Sequence, residues 1–381
     1  MTGDRAAAPF QLEKLIRDVF APRAGETLTI FHDRPHGELA DEPDWRDRRA
    51  MARRWHEELA SVASDLGIRV APLCTYLATG SHSGELPSEA RQDDRSVLLD
   101  EVIGGSDIVL FMTRYSASAP LYLKTRSLPH VRGASMPGVV PAMEETGLAA
   151  DYREVAALCR GLEPLFAGAE LIEVEFSTGH RCTFDIGDGK APRSDTGLLP
   201  PGQGADATRL ANLPAGEVFV CPDERAGSRT AGEIPVLLDD EIVVLTVREN
   251  RIVDLAGQGR GLERARNELF SEPARCNIAE VAVGCNPRAV VRGIVLEDEK
   301  AGFHWAFGRS DAMGGTVGPA QFSAPDRVIH EDVVYARQSP IVCRQLDFVT
   351  AAGERTTAIR DGELLVGPDH EGNPTTDEER P

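Results

Sequence analysis

Two periods of hydrophobic patterning run along this chain, and the change from one to the other divides it. In the first half, short apolar runs alternate with long polar stretches of helical spacing. "ETLTIFHD" (26–33) reads as a strand, "DWRDRRAMARRWHEELASVASDLG" (44–67) as a charged helix, and "IRVAPLCTY" (68–76) as the next strand. Strand, helix, strand is a βαβ unit and predicts a parallel sheet covered by helices. "RSVLLDEVIGGSDIVLFMTR" repeats the theme, with a helix ending at Gly104-Gly105 and a buried strand over "DIVLFM". The stretch up to Phe20 has amphipathic helical spacing.

From about Leu171 the period shortens to two. "LIEVEFSTGHRCTFDI" reads as a hairpin turning at Thr178-Gly179, and "GEVFVCPDE" and "GEIPVLLDDEIVVLTVRENRIVDLAG" continue as short antiparallel strands. Between them "GDGKAPRSDTGLLPPGQGADATR" is rich in Gly, Pro and polar residues and reads as a flexible loop or domain boundary. The predicted architecture is an α/β N-terminal domain with a mostly parallel sheet over 1–200. A β-rich α+β domain over 201–365 and a disordered tail over 366–381 complete it.

Length supports two units, since 381 residues exceed the comfortable size of one hydrophobic core. The formal charge of -20 argues against nucleic acid or an anionic membrane as partner, because both demand a basic footprint. Seven scattered cysteines without CxxC spacing suit a reduced cytoplasm. No apolar run approaches the length of a membrane span, and the N-terminus carries acids where a signal peptide has its apolar core. No GxGxxG follows a strand. "GQGRG" (257–261) lacks that context and reads as a turn between strand and helix.

The candidate chemistry lies in the second half, where acids and histidines interrupt apolar segments. Glu217 stands in "LPAGEVFVCP", Glu280 in "NIAEVAVGCNP", Glu299 and His304 in "EDEKAGFHWAFG", and His330 and Asp332 in "RVIHEDVV". Any one of these taken alone is ordinary turn chemistry or a hydrogen-bonded strand residue. Together they would carry a burial cost of several kcal/mol each, roughly, without a partner, and a cation is the economical one. By the period-two rule His330 and Asp332 share one strand face, with Glu331 on the other. Two imidazoles and four carboxylates are richer in oxygen than a structural zinc site and too many for one ion. The expectation is a pair of divalent metals that acidify a water into a nucleophile. The remaining histidines, His32, His36, His56, His82, His130, His180 and His370, carry no assigned role.

At "NLPAGEVFVCPDE", "AEVAVGCNP", "EDEKAGFHWAFG" and "HEDVV", and more faintly at "TRYSAS" and "SMPG", the sequence resembles the aminopeptidase T-like metallopeptidases. These are two-metal exopeptidases, often dimeric. The resemblance implies the same six ligands, Glu217, Glu280, Glu299, His304, His330 and Asp332, with Glu280 as the bridge and Glu280 and Glu299 as catalytic residues. Asp311 stands where those peptidases carry a tyrosine seven residues after the histidine, a departure that bears on peptide cleavage. The family also resembles ring-cleaving dihydroxypyridine dioxygenases, whose single iron is held by two histidines and one aspartate. In that branch the places of Glu280 and Glu217 do not hold these acids, and this chain keeps both. The expectation is therefore a homodimeric, aminopeptidase-like hydrolase with zinc, cobalt or manganese, acting on a short peptide or small molecule. The alternatives are an iron dioxygenase on a small aromatic substrate, a specialised-metabolite enzyme on the same scaffold, and a non-catalytic protein with a closed metal site.

Overall fold

The computed structural model describes residues 9–82, 84–187, 189–202, 209–324 and 327–366, so the predicted tail beyond Val366 lies outside the described residues. The first sheet runs in the order Leu210–Asn212, Arg132–Ser135, Ile108–Phe111, Thr27–Arg34, Cys74–Leu77, Glu89–Gln92, Arg95–Leu98. Its first five strands pair in parallel, and the last two add an antiparallel edge. The central strand has six consecutive buried residues from Leu28 to Asp33 because both of its faces are covered. One cover is the helix Pro43–Leu66, which starts at a proline, buries Trp45, Met51, Ala52, Trp55 and Leu59 at helical spacing, and stops at Gly67 with φ 70°.

The rest of the chain forms two antiparallel sheets. An eight-stranded sheet has the order Arg251–Ala256, Glu241–Arg248, Ala231–Leu238, Arg181–Asp185, Ala169–Phe176, Cys343–Thr350, Arg355–Arg360, Glu363–Leu364. A five-stranded sheet has the order Arg193–Asp195, Glu217–Val220, Ile278–Gly284, Phe303–Gly308, His330–Val334. Their facing sides merge in one apolar cluster. Val174, Phe176 and Phe184 from the larger sheet meet Val218, Val281, Val283, Phe303 and Trp305 from the smaller, and the helix Tyr152–Gly168 closes the cluster with Val155, Cys159, Leu162 and Phe166.

Sheet membership interleaves around residue 200. The hairpin strands Ala169–Phe176 and Arg181–Asp185 belong to the large antiparallel sheet, whereas Leu210–Asn212 forms the edge of the parallel one. Part of the segment expected to be loop is also ordered: Arg193–Asp195 pairs antiparallel with Glu217–Val220. Its Gly and Pro content hid a strand that pairing with a buried neighbour stabilises. "GQGRG" is the junction expected, between the strand Arg251–Ala256 and the helix Gly259–Phe270. All seven cysteines are free and buried. Among the described residues no helix is long and apolar enough to cross a membrane.

Candidate metal centre

The five-stranded sheet turns one face to the apolar cluster, and strand alternation sends every second side chain to the other face. Val218, Val220, Val281, Val283, Phe303 and Trp305 point inward. Glu217, Glu280 and His304 alternate with them and lie on the opposite face, where they converge with His330 and Asp332. Register brings them together. Ala306 pairs with Glu280 on one side and Asp332 on the other, and its methyl leaves room for both acids; His304 pairs with Ala282, and Glu217 with Gly284.

Glu299 arrives from the turn ahead of the Phe303 strand. Of the three acids in "EDE" it alone reaches the cluster. Glu297 is paired with Arg292 and accepts the Gly147 N–H at 2.8 Å, and Asp298 accepts the N–H groups of Arg292 and Gly293. The turn lies close over the strand below it: a Cβ on Gly284 would sit 2.1 Å from the Glu299 carbonyl oxygen, so only glycine fits there. The Asn286 N–H donates to the Lys300 carbonyl at 3.0 Å and fixes the turn's far side.

Within the cluster the His304 Nε2 lies 3.3 Å from Glu217 Oε2 and 3.7 Å from Glu280 Oε1. The His330 Nε2 lies 3.2 Å from Glu280 Oε2 and 3.7 Å from Asp332 Oδ1. Each histidine has its other nitrogen tied to the backbone: His330 Nδ1 donates to the Arg309 carbonyl at 2.8 Å, and His304 Nδ1 to the Gly302 carbonyl at 3.3 Å. This arrangement fixes the tautomer and aims both Nε2 atoms at the carboxylates, as in metal-ligating histidines. Glu217 Oε2 and His304 Nε2 are buried and make no hydrogen bond, so the pair lacks a partner that would satisfy both. Two overlapping groups, Glu217 with Glu299 and His304, and Glu280 with His304 and Asp332, hold ligand atoms within 4.8 Å of one another and could each hold a metal ion. The site opens to solvent at His330, whose side chain is 31% exposed, while that of His304 is fully covered.

Electrostatics follow from this crowding. Burial opposes charge on His330, but the Asp332 and Glu280 carboxylates outweigh it and push its pKa up to about 10. His304 is raised in the same way, against burial, by Glu217 and Glu280. Burial would raise Glu280, yet the two imidazoles hold it well below the usual carboxylate range. Glu299 is pushed up to about 8, first by burial and, against the opposing pull of Lys300, by the neighbouring Glu217 and Asp332.

Two further residues belong to the cluster and were not anticipated. Lys300, fully buried, donates from Nζ to Glu217 Oε1 at 2.6 Å and to Glu299 Oε1 at 2.5 Å. In the sequence it directly follows three acids, Glu297, Asp298 and Glu299, a setting that reads as a solvated turn. Asp195 sits behind Lys300, accepts the N–H groups of Asn212 and Gly197, and is raised to about 6, mainly by burial. It lay in the segment read as loop and gave no signal. Asp311 remains outside the cluster: it pairs with Arg309 at 2.5 Å on a partly exposed turn, and the Arg309 carbonyl is what holds His330. Of the other histidines, His32 is buried in the central parallel strand with Nε2 3.0 Å from the Thr75 hydroxyl, and His370 lies outside the described residues.

No protein-family model and no curated protein matches the chain. Solved structures do match. The chain superposes on 2,5-dihydroxypyridine dioxygenase from Pseudomonas putida KT2440 with a TM-score of 0.58 and 16% identity, over 93% of this chain and 97% of that one. It superposes on wild-type AmpT from Thermus thermophilus with a TM-score of 0.56 and 16% identity, over 93% of this chain and 99% of that one. The chain therefore resembles aminopeptidase T and a dihydroxypyridine dioxygenase alike, in a fold that runs nearly the full length of all three.

Proposed function

We propose that the chain is a metal-dependent hydrolase that cleaves an amide or peptide bond, aminopeptidase-like, in a short peptide or small molecule. The observation that carries this reading is the buried pair Glu217 Oε2 and His304 Nε2, without hydrogen-bond partners, inside a set of four carboxylates and two histidines whose Nδ1 atoms are already committed to carbonyls. Glu217, Glu280, Glu299, His304, His330 and Asp332 are the residues assigned to hold divalent metal, and the oxygen-rich mixture suits zinc, cobalt or manganese. Metal held there polarises a carbonyl and lowers the pKa of water. The chain's own residues do the rest. The Arg309 and Gly302 carbonyls orient the imidazoles, and Glu280 lies between both of them. His330, at the open side, marks where substrate enters.

The dioxygenase likeness raises a second reading, because His304, His330 and Asp332 are two histidines and one carboxylate. Iron oxygenases of that type keep coordination positions open. Here Glu280 lies 3.7 Å from one imidazole and 3.2 Å from the other, where it would fill such a position, and this favours the hydrolase. The test is turnover of aminoacyl amides and short peptides by protein purified without oxygen, with metal analysis of the same sample. Cleavage should be indifferent to oxygen, abolished by a chelator and restored by zinc, cobalt or manganese. Oxygen uptake coupled to loss of an aromatic substrate, with iron bound and amides untouched, would overturn the proposal.

A further inference from the structure

Among the described residues of the cluster, Lys300 is the one lysine or arginine. Its side chain is fully covered, and its Nζ bridges Glu217 Oε1 and Glu299 Oε1 at 2.6 and 2.5 Å. It is not free to withdraw. The Asn286 N–H holds its carbonyl, and Gly284 lies against its Cα and carbonyl carbon at distances where no side chain fits, so the backbone from which the ammonium extends is fixed on two sides. The cluster thus has two unlike halves. In one, Glu217 and Glu299 share a lysine ammonium. In the other, Glu280 and Asp332 face the Nε2 atoms of His304 and His330 with no lysine or arginine between them, and the second Glu217 oxygen turns toward His304 Nε2 at 3.3 Å.

Charge balance separates the halves further. Two carboxylates and two imidazole nitrogens supply a donor set for one divalent ion. Glu217 and Glu299 already have an ammonium at 2.6 and 2.5 Å from their oxygens, and a second divalent ion there would lie close to that positive charge in an interior that screens weakly. We propose that Lys300 is a built-in cation that takes the place of a second metal ion between Glu217 and Glu299, so that the chain holds one divalent ion tightly, at Glu280, His304, His330 and Asp332, and a second only weakly. The proposal rests on the reading of the cluster as a metal centre and makes that centre asymmetric: one tight ion, with Lys300 as a positioning residue that keeps the second carboxylate pair in place.

Metal stoichiometry tests this directly. The purified chain, stripped and dialysed against cobalt(II), should retain one equivalent. Lys300→Met, close in shape but uncharged, frees the carboxylate pair and should bind a second equivalent at least tenfold more tightly than the native chain does, with spin coupling between two cobalt ions as the spectroscopic signature. Lys300→Arg keeps a cation and should stay at one. The native count of one tight cobalt ion rather than two is the decisive measurement if Lys300→Met fails to fold. Two equally tight equivalents in the native chain, or a folded Lys300→Met that gains none, would each overturn the proposal. Failure of the underlying reading looks different, as no retained metal in any of these proteins.

Discussion

Asp33, at the carboxyl end of the central parallel strand, and Glu217, at the start of a strand in the five-stranded sheet, are buried to 1% and 7% exposure, yet their surroundings differ in kind. The Asp33 carboxylate accepts the Trp45 indole N–H at 2.8 Å and the backbone N–H groups of Arg114 and Tyr115 at 2.9 and 3.3 Å. Burial pushes its pKa up and these donors pull it back. Every lone-pair direction has a use, and the acid ties the loop after Phe111 to the neighbouring strand and helix. Glu217 has a lysine on one oxygen and no hydrogen bond on the other, which faces an imidazole nitrogen equally without one. Burial alone does not identify a ligand; what separates the two acids is the remaining unsatisfied acceptor.

The largest expected effect of breaking this contrast is at Glu280, which touches both imidazoles. Glu280→Gln keeps the shape but removes the charge and half the acceptor capacity, and loss of an outer-shell partner alone weakens metal binding by about 10–100-fold. Removal of this group should exceed that range, to about 1000-fold or more, measured by competition dialysis, with the fold intact by circular dichroism. Metal binding within tenfold of the native chain would remove Glu280 from the centre.

Asp33→Ala should do the reverse. It leaves three N–H donors without their acceptor, at a stability cost of about 3 kcal/mol by denaturant unfolding. Metal stoichiometry should not change. A variant of unchanged stability that loses metal would show that the satisfied acid, too, serves the site.

Asp185 is a second satisfied carboxylate and adds a pH dependence. Burial would raise its pKa, but hydrogen bonds from the Arg229 side chain and backbone outweigh it and hold it below the usual range. A carboxyl whose folded pKa is depressed contributes stability that is complete above its unfolded value, about 4, and is lost as pH falls through the folded value. Arg229 is about half exposed, so the pair is screened, and Arg229→Ala should cost only about 1–2 kcal/mol at neutral pH. The two proteins should converge in stability below about pH 4. A gap that widens on acidification would contradict the assignment.

What was legible in the sequence was what strand and helix periods encode locally. The βαβ beginning, the hairpin at Thr178-Gly179 and the strand phase of "VIHEDVV" follow from side chains a few residues apart. Five of the six candidate residues fall on one sheet face for the same reason, and Glu299 reaches them because Gly284 admits its turn. Contacts made across the chain were not legible. Asp195 and Lys300 are 105 positions apart in the numbering and meet only because Arg193–Asp195 pairs with Glu217–Val220. The segment around Asp195 is too rich in Gly and Pro to announce a strand, and a lone lysine beside an acid usually marks a solvated turn.

The smallest effect concerns Glu331, between His330 and Asp332 on the edge strand. It pairs across to Phe307, on the face that turns toward the apolar cluster, whereas His330 and Asp332 reach Glu280 on the other. Burial raises the Glu331 pKa and Glu268 adds to it, so its charge is slightly unfavourable where it stands. Glu331→Ala should therefore leave metal affinity within about twofold and change stability by no more than about 0.5 kcal/mol, toward greater stability at neutral pH. His330→Ala, one position away, removes the imidazole whose Nδ1 is held by the Arg309 carbonyl and should weaken metal binding by about 100-fold. Side-by-side dialysis of the two variants decides the strand phase. If Glu331→Ala lost metal while His330→Ala kept it, the two faces would be exchanged, and the contrast between satisfied and unsatisfied acids would have to be redrawn around a different set of residues.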